Sequence, residues 1–305
     1  MFYKIPNLKI FFALSFIAVM SIYPVLTLPV MIGILMDHAG MSSFSAGWLT
    51  AVGTLSTASA GFIMSIKMDN KNLQKLSRFT LIIAIFTDLL SAFTAGTTII
   101  FFLIRVIWGL AMGVAHASSV SSIAHYDNFK QGFGIYVGLQ FIVSGIGLYI
   151  IPVYADIIGV TGFFIGFAVL DFVALIFTKY LGSDYKEPAK TKENNTSLGV
   201  MISVPAILAI IGFTVFEAAN TAQFSYIERF GVISNLTEHQ IGIALLVGSL
   251  LGIPGAFSIF ILGDKFGLVR PLIFGFLLSI SDLTCLLYTS PRPRDATLYR
   301  MPSSA

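Results

Sequence analysis

The chain has 305 residues, of which 56% are hydrophobic and only 11% charged, with a formal net charge of +3. A soluble globular domain carries about 25% charged residues, so lipid, not water, is the solvent this composition fits. One cysteine (Cys285), four scattered histidines and no phosphate-loop, nucleophile-elbow or HExxH motif point away from a disulfide framework, a metal site, an enzyme and a bound cofactor.

A bilayer-spanning helix needs about 20 mostly apolar residues. The spacing predicts nine spans, at 10–35, 45–66, 78–96, 98–124, 132–154, 160–181, 199–226, 238–262 and 271–288. Lys4 and Lys9 precede the first, as in a signal peptide. However, the apolar run continues to Met36 with no small-residue cleavage site, so it reads as a retained span. In that span Tyr23 and Thr27 share a face beside Pro24 and Pro29. Prolines in a membrane helix free backbone carbonyls for other partners.

Further along, Asp88 lies in span 3, Arg105 and His116 in span 4, and Asp171 in span 6. Ionisable groups at that depth cost about 2.5–3.5 kcal/mol on insertion scales, so they face a partner or an aqueous path. Gln140 and Ser144 share a face of span 5. Residues 183–198 form a polar, charged linker after six spans. In span 7, Glu217 heads a stripe continued by Asn220, Thr221 and Phe224 at i+3, i+4 and i+7.

Placing the N-terminus inside puts thirteen Lys and Arg residues in cytoplasmic segments and only Arg229 in the outer loops. A bias of that size sets orientation, with the N-terminus and 183–198 cytoplasmic in a bacterial-type inner membrane. A shift of 195 residues aligns 47–79 with 242–274, pairing Gly47 with Gly242, Gly53 with Gly248 and Asp69 with Asp264 without a gap. The shift is six spans, so the repeat is parallel.

Two segments carry a family resemblance. The loop Gly263-Asp264-Lys265-Phe266-Gly267-Leu268-Val269-Arg270 looks like a D-[RK]-x-G-x-x-[RK] motif. Span 4, with Arg105, Gly109 and Gly113, is similar to an R-x-x-x-G-x-x-x-G pattern. With six spans, a linker and a repeat, the chain resembles the major facilitator superfamily of secondary transporters. The first loop copy keeps Asp69 and Lys75 but has Asn72 where glycine is usual, and the G-P pair of antiporters is missing from span 5.

The resemblance implies an all-α transmembrane bundle that moves a small solute by alternating access. Proton coupling is expected from the embedded acids and arginine. The expected division is a six-helix bundle over 1–182, the linker, and a partial second bundle over 199–284. Twelve helices are usual in the family, so the chain reads as a fragment with a non-native or disordered tail over 285–305. The solute and proton path is expected to use Arg105, Glu217, Asn220, Thr221, Gln140, Tyr23 and Thr27. For each, packing is the competing role. Asp88 and Asp171 are expected to make structural hydrogen bonds, and His116 to pack between helices. Asp69, Lys75, Asp264, Lys265, Gly267 and Arg270 are expected to gate the two conformations. The partners expected are a small solute, protons and the bilayer, with no nucleic acid and no cofactor, the protein acting as a monomer. The alternative is a transporter-like sensor or scaffold that binds solute without moving it.

Overall fold

The computed structural model describes residues 8–68, 72–96, 98–182, 203–266 and 269–289, and no strand occurs among them. The expected linker, 183–198, lies outside the described residues, as do 290–305 of the expected tail.

The first span is two helices, α1 (Leu8–Leu26) and α2 (Leu28–Asp37). The break falls at Thr27, whose φ of −111° and ψ of 22° are not helical. Pro29 has no N–H to give to the carbonyl four residues back. Thr27 bridges the gap, its hydroxyl donating to the Tyr23 carbonyl at 2.9 Å.

Next come α3 (Ser43–Ile66), α4 (Leu73–Thr94) and α5 (Ile99–Ala124). Each begins at a side-chain cap: Ser42, Asn72 and Thr98 accept from the backbone N–H three residues on. Such caps satisfy donors that the helix leaves open. Asn72, the departure from the usual loop glycine, is therefore the start signal of α4.

Spans 5 and 6 appear as one element, α6 (Phe129–Phe177), followed by a short 3-10 turn over Thr178–Tyr180. Its 49 residues would reach about 74 Å as a straight helix, more than twice the roughly 30 Å hydrocarbon core. The chain turns at Gly159, where φ is 54° and ψ is −169°. That conformation is open essentially only to glycine. The expected boundary between spans 5 and 6 is thus a tight glycine turn rather than a loop. The described residues close with α7 (Val204–Ile233), α8 (Glu238–Phe266) and α9 (Val269–Thr289). α9 takes in the first five residues, 285–289, of the expected tail.

Helices α1 to α6 form one bundle. α5 packs on α3 and α4, α1 packs on α5 and α6, and α4 packs on α6. The core includes Phe11, Leu14, Ile17 and Met20 of α1, Phe101 and Met112 of α5, and Phe164 of α6. The α3–α5 contact is the closest. A methyl group on Gly109 would meet the Gly53 carbonyl and lie 2.8 Å from Ser56 Cβ, and one on Gly113 would meet the Thr57 carbonyl. Lipid offers little hydrophobic drive between helices, so close backbone approach through small residues supplies the attraction. Outward-facing Leu55, Phe62, Phe79, Phe86 and Phe93 are exposed, as suits a lipid-facing surface.

α7 and α8 lie against this bundle through α2 and α6 respectively. Ser249 of α8 donates to the Phe141 carbonyl at 3.0 Å, and Gly242 seats Tyr149 of α6. Five helices and the α6–turn unit are each long and apolar enough to cross a membrane.

Candidate functional site

One set of polar groups lies deep inside the first bundle, a second joins the ends of α2 and α7, and two cavities lie along the seam beside the second.

The first set sits inside the bundle. Arg105 of α5 is 2% exposed and Asp88 of α4 is fully buried. Arg105 Nη1 donates to Asp88 Oδ1 at 2.6 Å and to Ser91 Oγ at 3.4 Å. Trp108, one turn on from Arg105, donates its indole N–H to Asp88 Oδ2 at 3.1 Å. The same indole ring lies under the guanidinium carbon at 4.3 Å, with Phe164 of α6 at 5.2 Å. The guanidinium is thereby desolvated, paired and stacked, a form of burial that arginine tolerates better than lysine. Asp171 of α6, 3% exposed, lines the same narrow crevice as Asp88 and Trp108, and its Oδ2 has no hydrogen-bond partner. Asp88 and Asp171 are therefore joined to Arg105 in one cluster.

The second set bridges α2 and α7. Arg229 holds Asp37 with two parallel bonds, Nη1 to Oδ1 at 2.9 Å and Nη2 to Oδ2 at 2.6 Å. Its Nε donates to Glu228 Oε2 at 2.6 Å. This two-pronged geometry is the strong form of an arginine–carboxylate pair. Gly33 of α2 makes room for it, since a methyl group there would sit 2.7 Å from Arg229 Nη2. His38 faces Asp156 at 3.7 Å beside it.

The larger cavity, about 750 Å³, opens at this bridge and is lined by α2, the middle of α6, the end of α7 and the start of α8. A second cavity of about 340 Å³ lies further along the same seam. Gln140, Phe141, Ser144, Phe224, Ala244 and Ser249 are among its walls. A layer containing Leu148, Ile151, Ile241 and Leu245 borders the two.

The expected path residues fall in different places. Gln140 and Ser144 line the smaller cavity, and Ser144 also donates to the Leu26 carbonyl at 3.0 Å, at the α1 break. Phe224 lines it too. Glu217 is half-buried on α7, and Asn220 and Thr221 are exposed. Tyr23 and Thr27 are buried against Gly147 of α6. His116 is held by the Ala18 carbonyl at 3.0 Å, as a packing histidine would be.

Of the gating residues, Lys75 and Arg270 are exposed near helix starts. Asp264 and Lys265 lie in the last turn of α8, while Asp69 and Gly267 fall outside the described residues.

Sequence reasoning passed over Asp37 and Glu228. A signal was present: Arg229 is the single basic residue of the predicted outer loops, and a lone charge there invites a search for its partner.

The family model described as Major Facilitator Superfamily matches residues 10–299. A comparison with curated proteins returned no match.

Proposed function

Because the chain belongs to the Major Facilitator Superfamily, and so is a multi-pass membrane transporter, we propose that it moves a small solute across the bacterial-type inner membrane by alternating access, driven by protons. The observation that carries this reading is the pair of cavities in line along one seam, with an ionic bridge at the wider end.

The bias of the basic residues supports a topology with the Asp37 and Arg229 end outside. The 750 Å³ cavity is then an outer vestibule and the 340 Å³ cavity the solute chamber. A chamber of that size lies at the lower end of ligand pockets, about 300–1,000 Å³. Its walls are mostly apolar, with Gln140, Ser144 and Ser249 as the groups that orient a ligand. The apolar layer between the cavities separates the two access routes. The Arg229–Asp37 bridge ties α2 to α7 and favours the state in which the outer ends are together. A solute that binds the other state more tightly shifts the balance.

Glu217 lies two turns from Phe224 on the same face of α7, on the cytoplasmic side of the chamber. It is the acid best placed to couple a proton to the solute route. The test is uptake into proteoliposomes of a radiolabelled solute chosen by thermal stabilisation of the purified protein. Uptake is expected to follow an imposed pH gradient, and Glu217→Gln to abolish that dependence. PH-dependent uptake that survives in Glu217→Gln would sink the role of Glu217. Solute binding without any flux would identify a sensor.

A further inference from the structure

The polar cluster inside the first bundle has an odd charge count. Two carboxyl groups, Asp88 and Asp171, line one crevice, and a single guanidinium, Arg105, pairs with the first of them. All three are shut away from solvent, at 0%, 3% and 2% exposure. Arg105 is always charged. If both carboxyls were ionised, one negative charge would be left buried without a counter-ion, which low-dielectric surroundings penalise heavily. The arrangement of donors agrees. Asp88 takes the arginine and the Trp108 indole, whereas Asp171 Oδ2 takes nothing. Two carboxyls sharing one buried crevice can hydrogen-bond only if one of them keeps its proton, because an ionised carboxylate accepts and cannot donate.

We propose that Asp88 and Asp171 share one exchangeable proton beside Arg105, forming a proton-binding site inside the first bundle, distinct from Glu217. Binding a proton neutralises one carboxylate, and release returns that proton to water. Arg105 fixes the count at one: its charge balances the carboxylate that stays ionised. The other titratable group facing the pair is Tyr23 of α1, which lines the same narrow crevice together with Pro24. That crevice is too tight for a water molecule. A separate cavity of about 20 Å³, however, is lined by Arg105, Trp108, Thr50, Thr54 and Pro24, room for about one water. Both spaces border α1 just before its break at Thr27. Movement of that segment is the step that would connect the proton to solvent. The site's use in transport rests on the proton-driven reading above, but its existence does not.

Infrared spectra of the full chain in lipid, taken in H2O and D2O at neutral pH, test the site without any solute. A protonated carboxyl gives its own C=O band, which shifts on deuteration. One such band from aspartate is expected in the unaltered protein, apart from any that Glu217 gives. It should vanish in Asp171→Asn and also in Asp88→Asn, where Asp171 must ionise to face Arg105. It should roughly double in Arg105→Gln, which leaves both carboxyls without a counter-charge.

Aspartate-specific ¹³C labelling of the unaltered protein reads the same site independently of whether a variant folds. Asp88 and Asp171 are the buried aspartates among the residues whose burial is described, so the band should move with the label and answer to the Asp171→Asn substitution. The absence of any band that moves with the aspartate label overturns the proposal. A band that persists in Asp88→Asn overturns the sharing, since the proton then belongs to Asp171 alone. Proton-driven flux without the band defeats this site and leaves the transport reading intact. The band without flux does the reverse.

Discussion

Arg105 is paired with Asp88 and Ser91 and stacked on Trp108 and Phe164, and each partner can be replaced separately. Losing one partner of a buried ion pair costs about 3–5 kcal/mol, because the other group is left without its counter-charge and must be stranded or take up a proton. Arg105→Met should therefore lower the thermal unfolding midpoint in detergent steeply. Asp88→Asn should cost clearly less if the shared-proton proposal holds, because Asp171, unpartnered in the same crevice, can then ionise in its place. Equal losses in the two variants would argue against that substitution of partners. The pairing was half legible in the sequence. Asp88 and Arg105 lie the same number of residues on either side of the 95–98 loop, which puts them at one depth in neighbouring antiparallel helices. Asp171 could not be placed in that way, since it comes from α6, more than 60 residues further on, and only the packing of α6 on α4 brings it in.

Among the elements, apolar run length and the caps marked most helices, but two boundaries stayed hidden. The first span reads as one apolar run, and its break depends on Thr27 lying between two prolines. The α6 turn depends on one glycine among the several in that stretch, and spacing does not tell which one holds a positive φ. Gly159→Val should cost about 1–3 kcal/mol, the scale of a residue forced into a sparsely populated conformation. A neutral effect on the unfolding midpoint would mean that the turn lies elsewhere. The arginine–glycine pattern of span 4 was legible as a motif, while its physical use emerges from packing. Gly109→Leu would drive a side chain into the Gly53 carbonyl. Overpacking of that kind costs about 1–3 kcal/mol or more. It should reduce the yield of folded protein, whereas Gly138→Ala, with open space around it, should leave that yield unchanged.

For the whole molecule, the family and the all-helical architecture followed from composition, span count and two motifs. The seam did not, because it is built from residues on four helices whose contacts no local spacing encodes. Its outer bridge gives a direct handle on the conformational balance. Arg229→Ala should release α2 from α7 and favour the outward-open state. The readout is faster alkylation, by a membrane-impermeant maleimide, of a cysteine placed in the vestibule, with Cys285 first replaced by serine. Unchanged alkylation would mean that the bridge does not hold the outer ends together.

The central claim is that one chamber on this seam is reached from each side of the membrane in turn. Ser144→Cys in the same cysteine-free background tests it most directly, because residue 144 lines the chamber and no knowledge of the solute is required. The cysteine is to be alkylated by an impermeant maleimide in right-side-out and in inside-out vesicles. Alternating access predicts labelling from both sides, with Arg229→Ala raising the rate from outside and lowering it from inside. Labelling from one side alone, unmoved by Arg229→Ala, would contradict it.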